Sequence, residues 1–459
     1  MNSADTITAI ATGSGGGVGM IRVSGDRALG VAAAVFTPAN AQKSPLTMPG
    51  YTGAFGRVHD SAGELDEAVL FVYRAPHSYT GEDTAEITCH GGPFVLQKVL
   101  EATVAAGARL AEPGEYTRRA LFNGKMNLTE AESVVDIIAA QNTQSLRAAL
   151  GAMDGALYRS VQQAAETLTD CCAHIAAWID YPEEDVEEVA NEELKTALAA
   201  VAETLRTLHQ SYDAGRLVRE GISTAIIGSA NVGKSTLMNL LSGAERSIVT
   251  AIPGTTRDVI EDSVRLGDLQ LNLKDTAGLR DSDDPVEQIG VMRSRQALSQ
   301  CDLILAVFDR SCPLTAQQRE WLPLLREKAA IAVLNKSDLP TGLSPAEEAE
   351  IAEAVRGAVT ISAGRGEGIG ELSTLIREVV GLSGFDPHAA LIANARQLQC
   401  IVSAETSLAE GREALLLGET LDAVSVCLEE AADALLTLSG RRASAETIDK
   451  VFEQFCVGK

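Results

Sequence analysis

The sequence predicts a multidomain protein that combines α+β and α/β folds. Alternating apolar and polar residues with frequent turn signals extend to about residue 119, and helical periodicity lies on both sides of a central segment that contains strand–loop–helix patterns. We therefore expect an N-terminal α+β domain over residues 1–119 and a discontinuous all-α helical domain over 120–217 and 384–459. An α/β domain over 218–383 is expected to be inserted into the helical domain.

The N-terminal domain is predicted from short alternating runs that are typical of strands, Thr6–Ile10, Met20–Val23 and Ala85–Thr88. The glycine-rich segment Thr12–Gly19 has no GxGxxG frame and a strand pattern follows it, so we interpret it as a turn and not as a dinucleotide-binding loop. The segment His90–Pro93 is interpreted as a loop before a helix, with the proline in the first helical turn.

The helical domain is predicted from apolar residues that recur on one helix face. The first such set follows residue 120, and a second runs from about 382 almost to the last residue; their members are Leu128, Ala131, Val134, Val135 and Ile138, then Leu391, Leu398, Ile401, Leu408 and Leu415. The inserted domain is bounded by the basic stretch Arg216–Gly221 and the turn-like Gly381–Gly384. Since both of its ends join helices, a movement in the inserted domain can change helix packing.

The inserted domain carries five motifs in the order expected of one nucleotide site. They are Gly228–Ser235, Gly254–Thr256, Asp275–Gly278, Asn335–Asp338 and Ser362–Ala363. The first fits GxxxxGK[ST] and lies between an apolar run and a helical pattern, which is the context that a phosphate-binding loop requires. The ordered set predicts a Ras-like α/β P-loop GTPase domain with GTP as substrate.

Each motif has a chemical role. Lys234 would reach the β- and γ-phosphates, Ser235 would bind Mg²⁺, and Thr256 would close over the γ-phosphate and the metal. Asp275 would supply a carboxylate near the metal. Asp338 can accept two hydrogen bonds from guanine that adenine does not offer, so GTP is preferred over ATP.

One position departs from the Ras-like pattern. Leu279 stands where such enzymes have a glutamine that orients the attacking water, and leucine cannot do this. Either hydrolysis is slow and the domain is a timer, or another polar group and another positive charge complete the site. The polar stretch Arg280–Gln288 offers candidates, although it can equally be a solvated loop.

Composition excludes several classes. With 459 residues, 46% hydrophobic residues and a mean hydropathy of +0.06, the chain is typical of globular proteins. No apolar run approaches the roughly 18 residues needed to cross a bilayer, and the N-terminus does not resemble a signal peptide, so we expect no membrane association and a cytoplasmic location. The eight cysteines form no CxxC pair, which favours reduced thiols.

Charge gives a further constraint. A formal net charge of −25 argues against nonspecific coating of nucleic acid, although a local basic patch is compatible with it. The acidic run Glu183–Glu188 is interpreted as a solvated helix face or a hinge.

The complete set of motifs resembles the tRNA modification GTPase MnmE family, also called TrmE. Besides the nucleotide motifs, the resemblance rests on Gly16–Gly19 with Arg22 and Ser24-Gly25, Ser78–Asp83, His90–Gly92, Pro113–Arg118, Asn123–Lys125 and Cys456–Lys459. It implies a homodimer, and it implies that the N-terminal domain dimerises and binds 5-formyl-tetrahydrofolate or a related one-carbon tetrahydrofolate. It also implies an FAD- and NADH-dependent partner of the MnmG type, which forms a heterotetramer with the chain. The pair would add an aminomethyl or carboxymethylaminomethyl group to the wobble uridine of certain tRNAs.

The resemblance also implies how hydrolysis proceeds without the glutamine. K⁺ would be bound by Asn231, Thr250, Ile252 and Thr255, Mg²⁺ by Ser235 and Thr256, and Glu287 would orient the water. A K⁺ beside the phosphates can supply the positive charge of an arginine finger. The full set expected to contact GTP is Asn231, Val232, Gly233, Lys234, Ser235, Thr236, Thr250, Ala251, Ile252, Pro253, Gly254, Thr255, Thr256, Asp275, Thr276, Ala277, Gly278, Asn335, Lys336, Asp338, Ser362 and Ala363.

In the N-terminal domain, the resemblance implies folate contacts by Arg22, Glu82 and Lys125, with Lys459 approaching the same pocket. Cations suit the carboxylates of the cofactor, and a carboxylate suits the amino edge of the pterin. Cys456 is a candidate nucleophile next to the one-carbon donor. Taken from the residues alone, the Cys456–Lys459 segment can also be a frayed terminus.

Two positions depart from the family pattern. The glycine loop begins Thr12-Gly-Ser-Gly-Gly-Gly where many relatives have Pro-Pro-Gly-Arg, and Tyr116 replaces a common phenylalanine. The alternative function is a GTP-gated switch in ribosome assembly without covalent chemistry. The acidic composition gives that alternative little support, because ribosome-binding proteins usually expose basic surface.

Overall fold

The computed structural model describes residues 5–13, 15–180, 189–244, 262–273, 301–453, 455 and 457–458. The chain forms two compact units, one of Met1–Val135 with Leu435–Lys459 and the other of Asp136–Ala434. The first contains a mixed α+β layer structure and the second contains long helices and a mainly parallel sheet, so the predicted fold class is confirmed. The domain boundaries given above stay a prediction.

The first unit is built on a seven-stranded sheet. Its elements in chain order are β1 (Ile7–Ile10), β2 (Val18–Ser24), α1 (Ala28–Val35), β3 (Phe36–Pro38), β4 (Thr52–Asp60), β5 (Gly63–Tyr73), β6 (Thr84–His90), α2 (Pro93–Ala105), β7 (Arg109–Leu110), α3 (Glu115–Phe122) and α4 (Leu128–Ala139). The strand order is β3-β4-β5-β6-β2-β1-β7, and every pair is antiparallel except β1 with β7.

Alternation along the strands decides which side chains enter the core. In β2, Ile21 and Val23 are buried in an apolar cluster with Leu96 of α2, while Arg22 between them lies on the other face of the sheet. This is the face on which the second site described below is built.

The loops of this unit follow their sequence signals. The chain reverses between the antiparallel strands β1 and β2, where the Ala11 amide donates to the Met20 carbonyl at 2.8 Å; this agrees with the turn predicted there, of which Ser14 lies outside the described residues. Helix α2 begins directly after Gly92 with Pro93 in its first turn, also as predicted.

The second unit begins with three helices and continues into the sheet of the inserted domain. The elements are α5 (Thr143–Met153), α6 (Ala156–Asp180), α7 (Val189–Glu220), β8 (Ile222–Gly228), α8 (Lys234–Ala244), β9 (Asp262–Leu266), β10 (Leu269–Leu273), β11 (Leu303–Asp309), α9 (Ala316–Leu325), β12 (Ala330–Asn335), α10 (Pro345–Ala354), β13 (Gly357–Thr360), α11 (Ile369–Val379), α12 (Ala395–Leu417), α13 (Leu421–Ser439) and α14 (Ala445–Phe452). The last helix belongs to the first unit, and the division between the units falls within α4 and within α13.

Helix α7 connects the helical part of this unit to its sheet. It packs against α12, and Gly215 approaches the loop before α12 so closely that a Cβ would lie 2.4 Å from the Ile392 carbonyl oxygen. The helix ends at Gly221, whose φ of 85° is the left-handed conformation that commonly terminates helices. The amide of Asn272 in β10 donates to the Glu220 carbonyl at 2.7 Å, so the end of α7 is attached to the sheet.

The six described strands of the inserted domain have the order β13-β12-β11-β8-β10-β9. All neighbours are parallel except β9 with β10. Strand β12 is buried at every position, which is typical of an inner strand of a parallel sheet. None of the helices in the described ranges is long and apolar enough to span a membrane.

Candidate functional site

The three nucleotide motifs that the structure describes, Gly228–Ser235, Asn335–Asp338 and Ser362–Ala363, meet at one edge of the parallel sheet. Strand β8 lies between β10 and β11, so the strands that follow it in the chain are placed on both sides of it. Ligands of open parallel sheets bind at the carboxyl ends of the strands at such a switch point. Gly228 ends β8, Asp309 ends β11 and Asn335 ends β12, while Ile361 alone separates the end of β13 from Ser362.

The loop after β8 has the backbone that a phosphate site needs. Asn231 and Gly233 have φ values of 63° and 97°, and helix α8 begins at Lys234, so its free N–H groups face the loop. A Cβ on Gly228 would lie 2.7 Å from the Val307 carbonyl oxygen, so only glycine fits there. The Lys234 ammonium donates to the carbonyls of Gly228 and Ser229, both at 2.7 Å, and thereby spans the loop.

Asn335 connects this loop to two other motifs. Its side chain is buried, its amide nitrogen donates to the Val232 carbonyl at 2.9 Å, and its amide oxygen accepts from the Ala363 amide at 3.0 Å. Gly233 must lack a side chain because a Cβ would lie 2.2 Å from that amide nitrogen. The asparagine of the Asn335–Asp338 motif is therefore a strut between the phosphate loop and the Ser362–Ala363 loop.

The rest of this motif is held by ion pairing and hydrogen bonding. Lys336 has a left-handed φ of 65° and its ammonium lies 2.6 Å from the Asp309 carboxylate. Although burial alone would raise the pKa of Asp309, hydrogen bonds from Lys336 and Ser311 outweigh it and lower that pKa.

Asp338 is the residue expected to read guanine. Its Oδ1 accepts from the buried Ser362 hydroxyl at 2.7 Å, and this hydrogen bond lowers the pKa of its carboxyl. This hydrogen bond keeps the carboxylate ionised and oriented, while Asp338 remains exposed to solvent. Such a group can accept the N–H donors of a guanine edge.

The structure brings together all of the GTP residues that it describes. These are Asn231, Val232, Gly233, Lys234, Ser235, Thr236, Asn335, Lys336, Asp338, Ser362 and Ala363. Outside the described residues lie Thr250, Ala251, Ile252, Pro253, Gly254, Thr255, Thr256, Asp275, Thr276, Ala277, Gly278 and Glu287. The loop, the helix N-terminus and Lys234 fit a phosphate, and Ser235 in the first turn of α8 fits a Mg²⁺ bound to that phosphate.

The N-terminal unit holds a second cluster of chemistry-bearing side chains. Arg22 of β2 donates to Glu86 of the neighbouring strand at 2.8 Å, and its guanidinium lies 5.7 Å from the ring centroid of Tyr79 and 5.6 Å from that of Tyr116. The side chains of Arg22 and Glu86 are each 14% exposed. This cation is fixed by a carboxylate and two aromatic rings, and it keeps N–H groups that can bind a further acceptor.

Glu82 is joined to the strand that carries this arginine by a hydrogen bond with Ser24. Its Oε2 accepts from the Ser24 hydroxyl at 2.8 Å, and Arg119 donates to Oε1 and Oε2 at 3.1 and 3.2 Å. A carboxylate has about four acceptor positions, so these three bonds leave one, on Oε1. The carboxylate fits a single further donor, such as one N–H of a pterin.

Lys125 completes the part of the predicted folate set that the structure describes. Its ammonium donates to the Pro76 carbonyl at 3.0 Å, and a Cβ on Gly81, next to Glu82, would lie 3.4 Å from its stem. Arg22, Glu82 and Lys125 are thus gathered around the Ser78–Asp83 segment. Lys459 and Cys456 lie outside the described residues.

Sequence reasoning missed several members of these sites. Arg119 and Glu86 pair with two of the predicted folate residues, and Asp309 pairs with Lys336. Asp309 could have been found because it ends a buried apolar strand at the edge where ligands bind. Arg119 and Glu86 gave no such signal, since single charges in a helix and a strand are usually solvated.

Comparison with known proteins finds relatives along the whole length of the chain. A family model described as GTP-binding protein TrmE N-terminus matches residues 6–125, and one described as MnmE helical domain matches residues 128–456. The chain is 42% identical to the tRNA modification GTPase MnmE of Symbiobacterium thermophilum over 99% of both chains. It is 41% identical to that of Moorella thermoacetica and 39% identical to that of Carboxydothermus hydrogenoformans, again over 99% of both chains. The chain belongs to the MnmE family of tRNA modification GTPases.

Proposed function

We propose that this chain is a GTPase that acts in the modification of tRNA. The observation that carries the GTPase assignment is the Asn335 strut, because it joins the phosphate loop to the Ser362–Ala363 loop at the carboxyl edge of the sheet. Unrelated loops that match three short patterns by chance would have no reason to share buried hydrogen bonds. Family membership over the whole chain supports the assignment to tRNA modification.

The geometry of this edge supports the proposal of GTP binding. The N–H groups at the start of α8 and the Lys234 ammonium bind the phosphates, while Asp338 accepts hydrogen bonds from the guanine edge. Mg²⁺ held by Ser235 would neutralise charge on the phosphates, and we propose Thr256 as a second ligand. An ATP molecule would leave the Asp338 carboxylate without its donors, so binding favours GTP.

We further propose that K⁺ and Glu287 replace the glutamine that Leu279 does not supply. Asn231 is exposed at the phosphate loop, and its amide oxygen is a suitable ligand for a monovalent cation. The remaining ligands would be Thr250, Ile252 and Thr255. The cation would stabilise charge that develops on the leaving phosphate, and Glu287 would orient the water.

Potassium dependence is tested by measuring GTP hydrolysis in KCl and in NaCl of equal ionic strength. We expect faster turnover in KCl, and we expect Asn231→Gly to abolish the difference. Glycine is the matched substitution because it keeps the left-handed backbone at this position while removing the amide. Equal rates of the parent protein in the two salts would remove K⁺ from the mechanism.

The role of Glu287 is tested by Glu287→Ala. If the carboxylate acts mainly in the transition state, GTP affinity stays nearly unchanged and single-turnover hydrolysis falls by one to several decades. A variant that hydrolyses GTP at the parent rate would show that another group orients the water.

The covalent chemistry is proposed to involve the N-terminal cluster and a partner. Arg22, Glu82, Lys125 and Lys459 would bind a formyl-tetrahydrofolate, which would supply one-carbon chemistry when bound. The chain would act as a homodimer and, with an FAD- and NADH-dependent MnmG-type partner, form a heterotetramer in the cytoplasm. The product would be a wobble uridine carrying an aminomethyl or carboxymethylaminomethyl group at C5.

Mass spectrometry of wobble uridines in tRNA, from cells with and without this chain, tests the function directly. We expect the modified uridine to disappear without the chain. Cys456→Ser then separates a modification enzyme from a GTP-gated ribosome-assembly switch: an enzyme that uses the thiol loses modification and keeps GTP hydrolysis. Unchanged wobble uridines in cells that lack the chain would refute the proposed function.

A further inference from the structure

The C-terminal end of the chain is packed against the N-terminal unit by specific contacts. Phe455 is 7% exposed, and its ring centroid lies 4.9 Å from that of Phe452 at the end of α14. Both aromatic residues contact Gly114, the residue that precedes α3. We call the segment Phe452–Gly458 the tail; of it, the structure describes Phe452, Glu453, Phe455, Val457 and Gly458.

Gly114 has no room for a side chain because the tail occupies the space. A Cβ there would lie 2.8 Å from the Phe455 Cβ and 2.9 Å from a ring carbon of Phe452. Real Cβ atoms do not approach other atoms so closely, so a larger residue would push the tail away. The same α3 helix contributes Arg118, whose guanidinium lies 2.6 Å from the Asp449 carboxylate of α14.

The other end of the tail, at Gly458, is also held by close packing and by a hydrogen bond. Gly458 is buried, has a φ of 99°, and would place a Cβ 2.5 Å from the Ile10 carbonyl oxygen at the end of β1. Its own carbonyl accepts from Arg22 at 3.4 Å. Arg22 is in turn supported by the buried Tyr116, whose hydroxyl donates to the Arg22 carbonyl at 2.7 Å.

Every second residue of the Pro113–Arg118 motif therefore contacts the tail, supports a residue that does, or pairs with the helix that leads into it. Gly114 receives the aromatic pair, Tyr116 supports the arginine that binds Gly458, and Arg118 pairs with the helix that leads into the tail. We propose that the Pro113–Arg118 motif is a seat for the chain's own C-terminal tail, and that Gly114 and Arg118 are positioning residues for the segment that carries Cys456.

The seat has a consequence for the reaction that rests on the proposed function. Cys456 itself lies outside the described residues, but it stands between Phe455 and Gly458 in the chain, so holding those two residues limits the reach of the segment that carries it. Holding a reacting group in place lowers the entropy that must be lost in the transition state. Loosening the tail should therefore slow modification without changing GTP hydrolysis in the other unit.

The chain offers a matched pair of glycines for the test. Gly114 and Gly124 lie before and after α3 with nearly equal φ values of 67° and 68°, and a Cβ on Gly124 meets no atom within 4 Å. Gly114→Ala and Gly124→Ala thus impose the same backbone strain, but only the first collides with the tail. The difference between the two variants isolates the contact with Phe455 and Phe452.

Hydrogen exchange by mass spectrometry on the full-length protein gives the readout. We expect the peptides that cover residues 445–458 to exchange at least tenfold faster in Gly114→Ala than in Gly124→Ala, while peptides of β5 exchange equally in both. Phe455→Ala, which removes the anchor from the tail without a collision, should give the same loosening if Gly114→Ala does not fold. Equal exchange of the tail in Gly114→Ala, Gly124→Ala and Phe455→Ala would overturn the seat.

Wobble-uridine analysis of the same variants separates this inference from the proposed function. A loosened tail with lost modification and retained GTP hydrolysis supports both. A loosened tail with full modification keeps the seat and overturns the positioning role toward Cys456. If the parent protein does not support modification, the proposed function fails, whereas the exchange measurement still decides on the seat.

Discussion

Replacement of the Asn335 strut by alanine should weaken the nucleotide site measurably. The side chain is 3% exposed and makes two hydrogen bonds, one to the Val232 carbonyl and one from the Ala363 amide. Asn335→Ala removes both bonds and leaves two backbone groups without partners. An unmatched buried polar group costs about 1–3 kcal/mol, so the two together cost about 2–6 kcal/mol before water or small shifts relieve part of it.

This cost is expected to divide between the stability of the sheet domain and the affinity for nucleotide. Since both backbone groups lie in loops that bind GDP, at least about 1.4 kcal/mol should appear as affinity, which is a tenfold increase in Kd. Titration with a fluorescent GDP analogue measures this directly. Denaturant unfolding of the unit that contains the site measures the part of the cost that appears as lost stability.

Asn272→Ala is the matched control. This asparagine of β10 also uses both ends of its amide, but it pairs with Ser223 near the amino end of β8 and does not lie at the edge proposed to bind nucleotide. We expect Asn272→Ala to lower stability while the Kd for GDP changes less than twofold. If Asn335→Ala likewise leaves the Kd within twofold of the parent value, the strut does not organise the site and the reasoning is refuted.

Three further predictions follow from contacts in the two units. Asp338→Asn should raise the Kd for GTP by at least about a hundredfold, because the amide offers a donor where guanine also has donors; competition binding with GTP and XTP should show the preference moving toward XTP, and unchanged GTP binding would contradict the assignment. In the N-terminal unit, burial alone would raise the pKa of Glu115, but hydrogen bonds from Arg109 and other donors outweigh burial and lower it. The stabilising contribution of the Glu115 carboxylate should therefore be complete above the ordinary glutamate pKa of about 4.3, and it should be lost as the pH falls through the lower folded-state pKa. Glu115→Gln should flatten the acid limb of the unfolding free energy plotted against pH. A variant profile parallel to that of the parent protein would show that Glu115 is not responsible. Asp302 accepts from Arg216 at 2.7 Å and from the Ser223 amide, so Asp302→Asn should destabilise the junction of α7 and the sheet by about 1–3 kcal/mol, and hydrogen exchange at the C-terminal end of α7 should increase several-fold unless the pair is dispensable.

Much of the fold was predictable because it depends on local patterns. The apolar run before the phosphate loop is strand β8, the helical pattern after that loop is helix α8, and the proline after His90-Gly-Gly begins helix α2. Periodicity reports which face of an element is buried, and that information is contained within a few neighbouring residues.

The candidate sites were predictable only in part. Lys234, Ser235 and Asp338 could be assigned roles from the sequence because the phosphate loop and the guanine motif are short contiguous segments, and these roles stay predictions. The partners of Arg22 and Glu82 were not, since Glu86 and Arg119 carry no local signal that distinguishes them from solvated charges. Which charge pairs with which is decided only when distant segments come together.

The sequence by itself determined the kind of ligand that this protein binds. Glycines that allow backbone N–H groups to reach a phosphate, a lysine at a helix start and an aspartate after Asn-Lys-Ser specify GTP through chemistry that is local to each motif. Only the tertiary structure decided how those motifs are joined and what holds the C-terminal tail. The Asn335 strut and the contact of Arg22 with Gly458 link residues 103 and 436 positions apart, and such contacts depend on how whole elements pack, which local sequence does not encode.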